Sequence, residues 1–135
     1  MSPKKILKRL QNFSQALERL QESIHENPAI SSTILDGTVK RFEFTFELSW
    51  KLMKDYLDYK GIEAATPRDV IKEAYQAKLI NHGDQWIQML EDRNTTSHVY
   101  DEEEIRKIYN NIKNIHFPQL KTFQHAISKL VSELN

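Results

Sequence analysis

Cysteine is absent from this 135-residue chain, which removes disulfides, zinc-thiolate sites and thiol nucleophiles together. Long apolar runs are absent too: none approaches the ~20 residues needed to cross a bilayer. The opening Met1-Ser2-Pro3-Lys4-Lys5-Ile6 leads into a polar amphipathic pattern, not into the apolar core of a signal peptide. These absences imply a soluble, cytoplasmic protein with no membrane partner. Charge of one sign is not in excess, since nineteen basic residues balance nineteen acidic ones. The chain therefore lacks the basic footprint of a protein that coats nucleic acid, and any RNA contact must be local. There is no Gly-rich phosphate loop, no internal repeat and no convincing alternating strand pattern. What is present fits one domain over residues 1–135, long enough to bury a core without staples.

Apolar residues dominate through helical spacing. Ile6, Leu10, Phe13, Leu17, Leu20 and Ile24 recur at steps of four and three, the stripe of a first helix that should end near Asn27-Pro28. A second helix, capped by Ser31 or Ser32 and stopping near Gly61, carries Leu35, Val39, Phe42, Phe46, Trp50, Met53 and Leu57 on one side. Phe44, Leu48, Leu52, Tyr56 and Tyr59 form a second apolar flank, so this helix should touch two neighbours, inside the bundle or across a dimer interface. Thr66-Pro67-Arg68-Asp69 reads as a helix start, and Asn81-His82-Gly83 as the break that follows. A fourth helix begins near Asp84, with Trp86, Ile87 and Leu90 inward. The last begins at Asp101 and carries Ile105, Ile108, Ile112, Leu120, Phe123, Ile127, Leu130 and Leu134. Its stripe stays roughly in phase across Phe117-Pro118, predicting one long helix kinked at proline, with two abutting helices as the alternative. The fold class is an all-α, up-and-down bundle of four-helix type with about five helices.

Chemistry concentrates in Arg93-Asn94-Thr95-Thr96-Ser97-His98-Val99-Tyr100. Arginine is permanently charged and forks onto phosphates, histidine exchanges a proton near neutrality, and a tyrosine hydroxyl can receive a transferred group. Trp86, Leu90 and Arg93 continue one inward stripe, so the plain reading of Arg93 is a buried or half-buried salt bridge. Asn94 and His98 share a helical face, whereas Arg93 and His98 diverge by ~140° unless the backbone bends. Thr95, Thr96 and Ser97 compete for backbone hydrogen bonds and favour such a loosened turn. Guanidinium, amide and imidazole around one phosphate suit metal-independent RNA cleavage, with histidine as base and arginine stabilising the charge on phosphorus. A single histidine does not readily act as both base and acid, and a two-fold dimer would supply a second Arg93-His98 pair.

Other candidates have plainer readings beside them. Arg41, the one charge on the second flank of helix two, either meets an acid or points into the cleft; it and Ser97 are secondary substrate-binding candidates. Glu43 and Glu47 have the spacing of an acid-base pair or metal ligands, but stand among Lys40, Lys51 and Lys54 on what reads as a solvated face. His82 reads as a cap residue, while His25, His116 and His125 have no companions at metal-ligand spacing. Asp101 to Glu104 are the acids expected at a helix start. No metal or cofactor of its own is expected.

The Arg-polar-x3-His core at Arg93, Asn94 and His98, followed by Val99 and Tyr100, resembles the R-x4-H-x-Y signature of HEPN domains. Arg41-Phe42-Glu43-Phe44-Thr45-Phe46-Glu47-Leu48-Ser49-Trp50-Lys51 and Ser97-His98-Val99-Tyr100-Asp101-Glu102 resemble the branch named nucleotidyltransferase substrate-binding proteins. The resemblance runs from about residue 5 to 130. It implies a dimerising helical bundle encoded beside a minimal nucleotidyltransferase. For toxin members it implies endoribonuclease action through the residues matching Arg93 and His98, supported by Asn94, and restraint by AMP transfer to the tyrosine matching Tyr100. The alternative it carries is a non-catalytic subunit that binds a substrate or nucleotide for the partner. A purely structural bundle, with Arg93 in an internal salt bridge, is the third reading. No Gly-Ser with a following Asp-x-Asp is present, so the chain is not expected to be the transferase itself.

Overall fold

Side-chain caps set most of the helix starts. In a computed structural model describing residues 2–98 and 101–134, α1 (Pro3–Ile24) opens with Ser2 Oγ accepting from the Lys5 amide, and proline occupies its first turn. It ends slightly before the expected Asn27-Pro28, because Asn27 Oδ1 accepts from the Ala29 amide at 3.0 Å in a local turn that competes with the helix. Ser31 caps α2 (Ser32–Tyr59), Thr66 caps α3 (Pro67–Gln76), and α4 (Gly83–Thr96) follows with His82 at its N-cap. Asp101 caps α5 (Glu102–Asn111) by accepting from the Glu103 amide.

After α5 the chain does not break. It passes through a π-helical turn, Ile112–His116, into α6 (Phe117–Ser132), with the Phe117 amide donating five residues back to the Ile112 carbonyl. The long-helix reading holds, and the irregularity expected at Phe117-Pro118 is this π turn. Proline has no N–H, and its ring would meet the carbonyl four residues back in a regular helix. The wider turn comes directly before it.

The third helix ends earlier than Asn81-His82-Gly83. Lys78 adopts φ 63°, while the Leu79 amide returns to the Ala74 carbonyl at 2.9 Å and the Lys78 amide to the Tyr75 carbonyl at 3.1 Å. This is the Schellman closure that usually employs glycine, as Gly61 does at φ 83° beyond α2. Burying Leu79 behind the turn offsets a conformation that a lysine adopts only with strain. Lys78→Gly should therefore stabilise the protein by about 0.5–1 kcal/mol, read as a melting temperature a few degrees higher; an unchanged value would mean that the turn carries no strain.

The core joins α1, α2, α4 and α6 through Phe13, Phe42, Phe46, Trp86 and Phe123, all fully buried. Trp86 meets Phe123 edge-on at 5.7 Å, fixing α4 against α6. Helix α2 packs against α1, α3, α4 and α5, which explains its wide apolar arc. On its second flank Leu52 and Tyr56 are buried by these neighbours, whereas Phe44 remains 61% exposed. Among the described residues the architecture is all helical, and no helix is long and apolar enough to cross a membrane.

Candidate functional site

The last turn of α4 carries most of the candidate residues. Trp86, Met89 and Leu90 anchor this helix in the core, and one turn further Arg93 emerges half-buried between α4 and α2. Its Nη2 donates to Glu47 Oε2 at 2.6 Å and its Nη1 to Asn94 Oδ1 at 3.2 Å. The salt bridge expected of Arg93 thus exists, and it lies at the rim of the bundle. Only two of the five guanidinium N–H groups are used by described residues, so the fork can still receive an anion.

Glu47 corrects the solvated-face reading. Besides Arg93, it accepts from Trp50 Nε1 at 3.1 Å and lies 3.5 Å from Lys51 Nζ. A carboxylate with three partners sets the guanidinium's position far better than a solvated acid would. Glu43 is half-buried too, 3.4 Å from Ser97 Oγ. Separations of 46 and 54 residues from Arg93 and Ser97 concealed the two glutamates' shared task of receiving the end of α4.

The helix loosens where its sequence predicts. Thr96 Oγ1 and Ser97 Oγ both approach the Arg93 carbonyl, at 2.9 and 3.3 Å, taking the acceptor that the next helical turn would use. The helix closes at Ser97, the His98 amide turns back to the Thr95 carbonyl at 3.0 Å, and the His98 side chain is exposed. Arg93, Asn94, Ser97 and His98 are therefore collected at one helix end. Arg41 is not among them: its Nη1 donates to the Arg19 carbonyl at 2.7 Å and lies 4.0 Å from Glu22, both on α1. Tyr100, the expected modification site, lies outside the described residues, as does Val99.

A groove of about 490 Å³ opens beside the site between α2, Thr96 and the start of α5, lined by Asp36, Lys40, Glu43 and Glu102 among others. Three carboxylates against one lysine disfavour a phosphate there. Of the two places, the Arg93 fork is the one whose charge suits an anion.

The residues behind Arg93 carry no local signal in the sequence. Asp92 is buried and accepts from Gln88 Nε2 at 3.0 Å, Asn111 Nδ2 at 3.1 Å and His116 Nε2 at 2.7 Å. Burial would push its carboxyl up, but the hydrogen bonds from His116, Asn111 and Gln88, with the nearby His116 charge, outweigh this and hold it below the usual carboxylate range. An ionised carboxylate only accepts, so His116 Nε2 carries the proton between them. The imidazole is wholly buried and stacked on Phe42 at 5.4 Å, and its Nδ1 has no partner among the described residues. His116, set aside for want of companions in sequence, has its companion 24 residues away.

Comparison with known proteins agrees with this architecture. A profile of the family described as nucleotidyltransferase substrate binding protein like matches residues 8–129. The probable ribonuclease HepT of Haemophilus influenzae is 34% identical over 85 residues, covering 59% of this chain and 58% of that protein's length. A Haemophilus influenzae structure described as revealing the fold of a substrate binding domain of a nucleotidyltransferase superposes with a TM-score of 0.75 at 25% identity, over 88% of this chain and 98% of the other. A tri-AMPylated Shewanella oneidensis HEPN toxin, solved in complex with an MNT antitoxin, superposes with a TM-score of 0.76 over 92% of this chain and 96% of that one. At 17% identity that likeness concerns the fold alone.

Proposed function

The chain belongs to the family of nucleotidyltransferase substrate binding protein-like domains, and from that premise we propose that it is the HEPN-type partner of a minimal nucleotidyltransferase and a metal-independent endoribonuclease. The observation that carries the reading is the end of α4, where Arg93, held by Glu47 and Asn94, precedes an exposed His98 on a loosened turn. In the proposed reaction His98 removes the proton of an RNA 2′-hydroxyl, and the 2′-oxygen bonds to the adjacent phosphorus. The bond from phosphorus to the 5′-oxygen breaks as that oxygen takes up a proton. The products are a 2′,3′-cyclic phosphate and a 5′-hydroxyl. Arg93 stabilises the added negative charge on the phosphoryl oxygens, and Asn94 orients the fork.

The proton for the leaving oxygen comes from His98 of a second copy in a two-fold dimer, for which the exposed Phe44 on the second flank of α2 is available surface. The partner restrains the activity by AMP transfer: the Tyr100 oxygen attacks the α-phosphorus of ATP and pyrophosphate leaves. A bulky anion two residues from His98 would obstruct and repel RNA.

Incubation of the purified protein with mixed cellular RNA in EDTA tests the core of this reading. Fragments ending in 2′,3′-cyclic phosphate are expected, and should disappear after coexpression with the neighbouring transferase and ATP, with Tyr100 heavier by one AMP. Folded, unmodified protein that leaves RNA intact would overturn the nuclease reading. The second reading, a non-catalytic subunit whose Arg93 fork holds a nucleotide phosphate for the partner, would then stand. It is supported by the family's description and by the three guanidinium N–H groups that described residues leave unused.

A further inference from the structure

Asp92 and Arg93 are consecutive, and each is tied to a different part of the bundle. Arg93 reaches across to Glu47 of α2. Asp92 reaches inward to Asn111 at the end of α5 and to His116 in the π turn. In a regular α-helix residues five apart point ~140° from one another, so Asn111 and His116 would not share an acceptor. In the π turn, hydrogen bonds close over five residues and bring positions i and i+5 onto adjacent turns of one face. Both side chains accordingly meet the same oxygen, Asp92 Oδ2, at 3.1 and 2.7 Å.

From this geometry we infer that the Asp92–His116–Asn111 cluster is a positioning clamp that fixes the end of α4, and with it the aim of Arg93 and Asn94. The inference rests on the function proposed above, but its structural half stands apart from it. The π turn is costly to form and leaves His116 Nδ1 buried without a described partner. What it provides is the convergence of two donors on the carboxylate next to the arginine. Phe42 stacks on the imidazole, and α2 also carries Glu47, so one helix supports both the clamp and the guanidinium's partner. Asp92 and His116 touch no substrate in this scheme. They act through Arg93, whose phosphate-facing edge would shift if α4 could rotate.

Two substitutions at His116 separate positioning from bulk. His116→Gln keeps an amide donor near the place of Nε2, whereas His116→Phe keeps a stacking ring without the donor. In ¹⁵N NMR spectra the Arg93 side-chain N–H, assigned through Arg93→Lys, should stay sharp in His116→Gln and broaden or shift in folded His116→Phe. Cleavage should follow, with kcat about 10-fold lower in His116→Phe at unchanged KM and nearly restored in His116→Gln. Folded His116→Phe with the wild-type Arg93 signal would overturn the clamp, whatever its activity. If His116→Phe does not fold, Asn111→Leu, which removes the other donor from a half-buried position, is judged by the same signal. Absence of cleavage in the wild type would refute the nuclease reading alone, and the NMR result would still decide the clamp.

Discussion

His98→Ala should lower RNA cleavage by about 10²–10⁴-fold, the usual contribution of a positioned general base. Because the side chain is exposed and makes no described hydrogen bond to the bundle, the melting temperature should hardly move, as for surface substitutions generally, which stay within about 0.5 kcal/mol. That pairing of a large kinetic effect with a small thermal one is what distinguishes a reacting group from a scaffold group. Arg93→Ala cannot give so clean a result, since it also strips Glu47 of its 2.6 Å partner. In a dimer that uses one His98 as base and the other as acid, mixing His98→Ala with wild-type chains should give less activity than the surviving wild-type homodimers plus half-active hybrids would predict. Cleavage by His98→Ala at the wild-type rate would remove the histidine from the reaction.

The end of α4 was legible in sequence because its signals are local. Thr96 and Ser97 loosen a helix by reaching the carbonyl three or four residues back, and Arg93, Asn94 and His98 fall within six consecutive positions. The caps at Ser31, Thr66 and Asp101 were legible for the same reason, as was the stripe from Ile6 to Ile24. The partners of these residues were not. Glu47 lies 46 residues from Arg93, and on its own helix its spacing from Lys51 is that of an ordinary exposed ion pair. His116 stands on the inward stripe between Ile112 and Leu120, but its partner Asp92 lies 24 residues away on another helix, which no helical wheel shows. Lys78 in a left-handed turn is likewise set by the demand to bury Leu79, which no local pattern announces. The proposed reacting groups were thus readable, while the means of holding them depended on tertiary contacts.

Asp92→Ala should cost about 3–5 kcal/mol, as expected when one partner of a buried polar pair is removed. Three donors lose their acceptor, and they are not equivalent. Gln88 is exposed and can turn to water, and Asn111 is half-buried, whereas His116 is wholly enclosed and has no alternative. Most of the cost therefore falls on the imidazole N–H, a desolvated donor without a partner. Chemical denaturation at pH 7 measures it, and a loss below about 1 kcal/mol would show that the cluster can relax around the deletion. The same carboxylate gives the prediction a pH signature. Its pKa is lower in the folded chain than in the unfolded one, so its contribution is fully present above the unfolded value of about 3.9. It declines as the pH falls toward and through the folded value, where folded and unfolded chains come to bind the same proton. Wild-type stability should therefore drop in acid more steeply than that of Asp92→Ala, and the difference between the two proteins should narrow below about pH 4. A gap that stayed constant down to pH 2 would mean that the cost at neutral pH comes from lost packing alone, with no part played by the charge on Asp92.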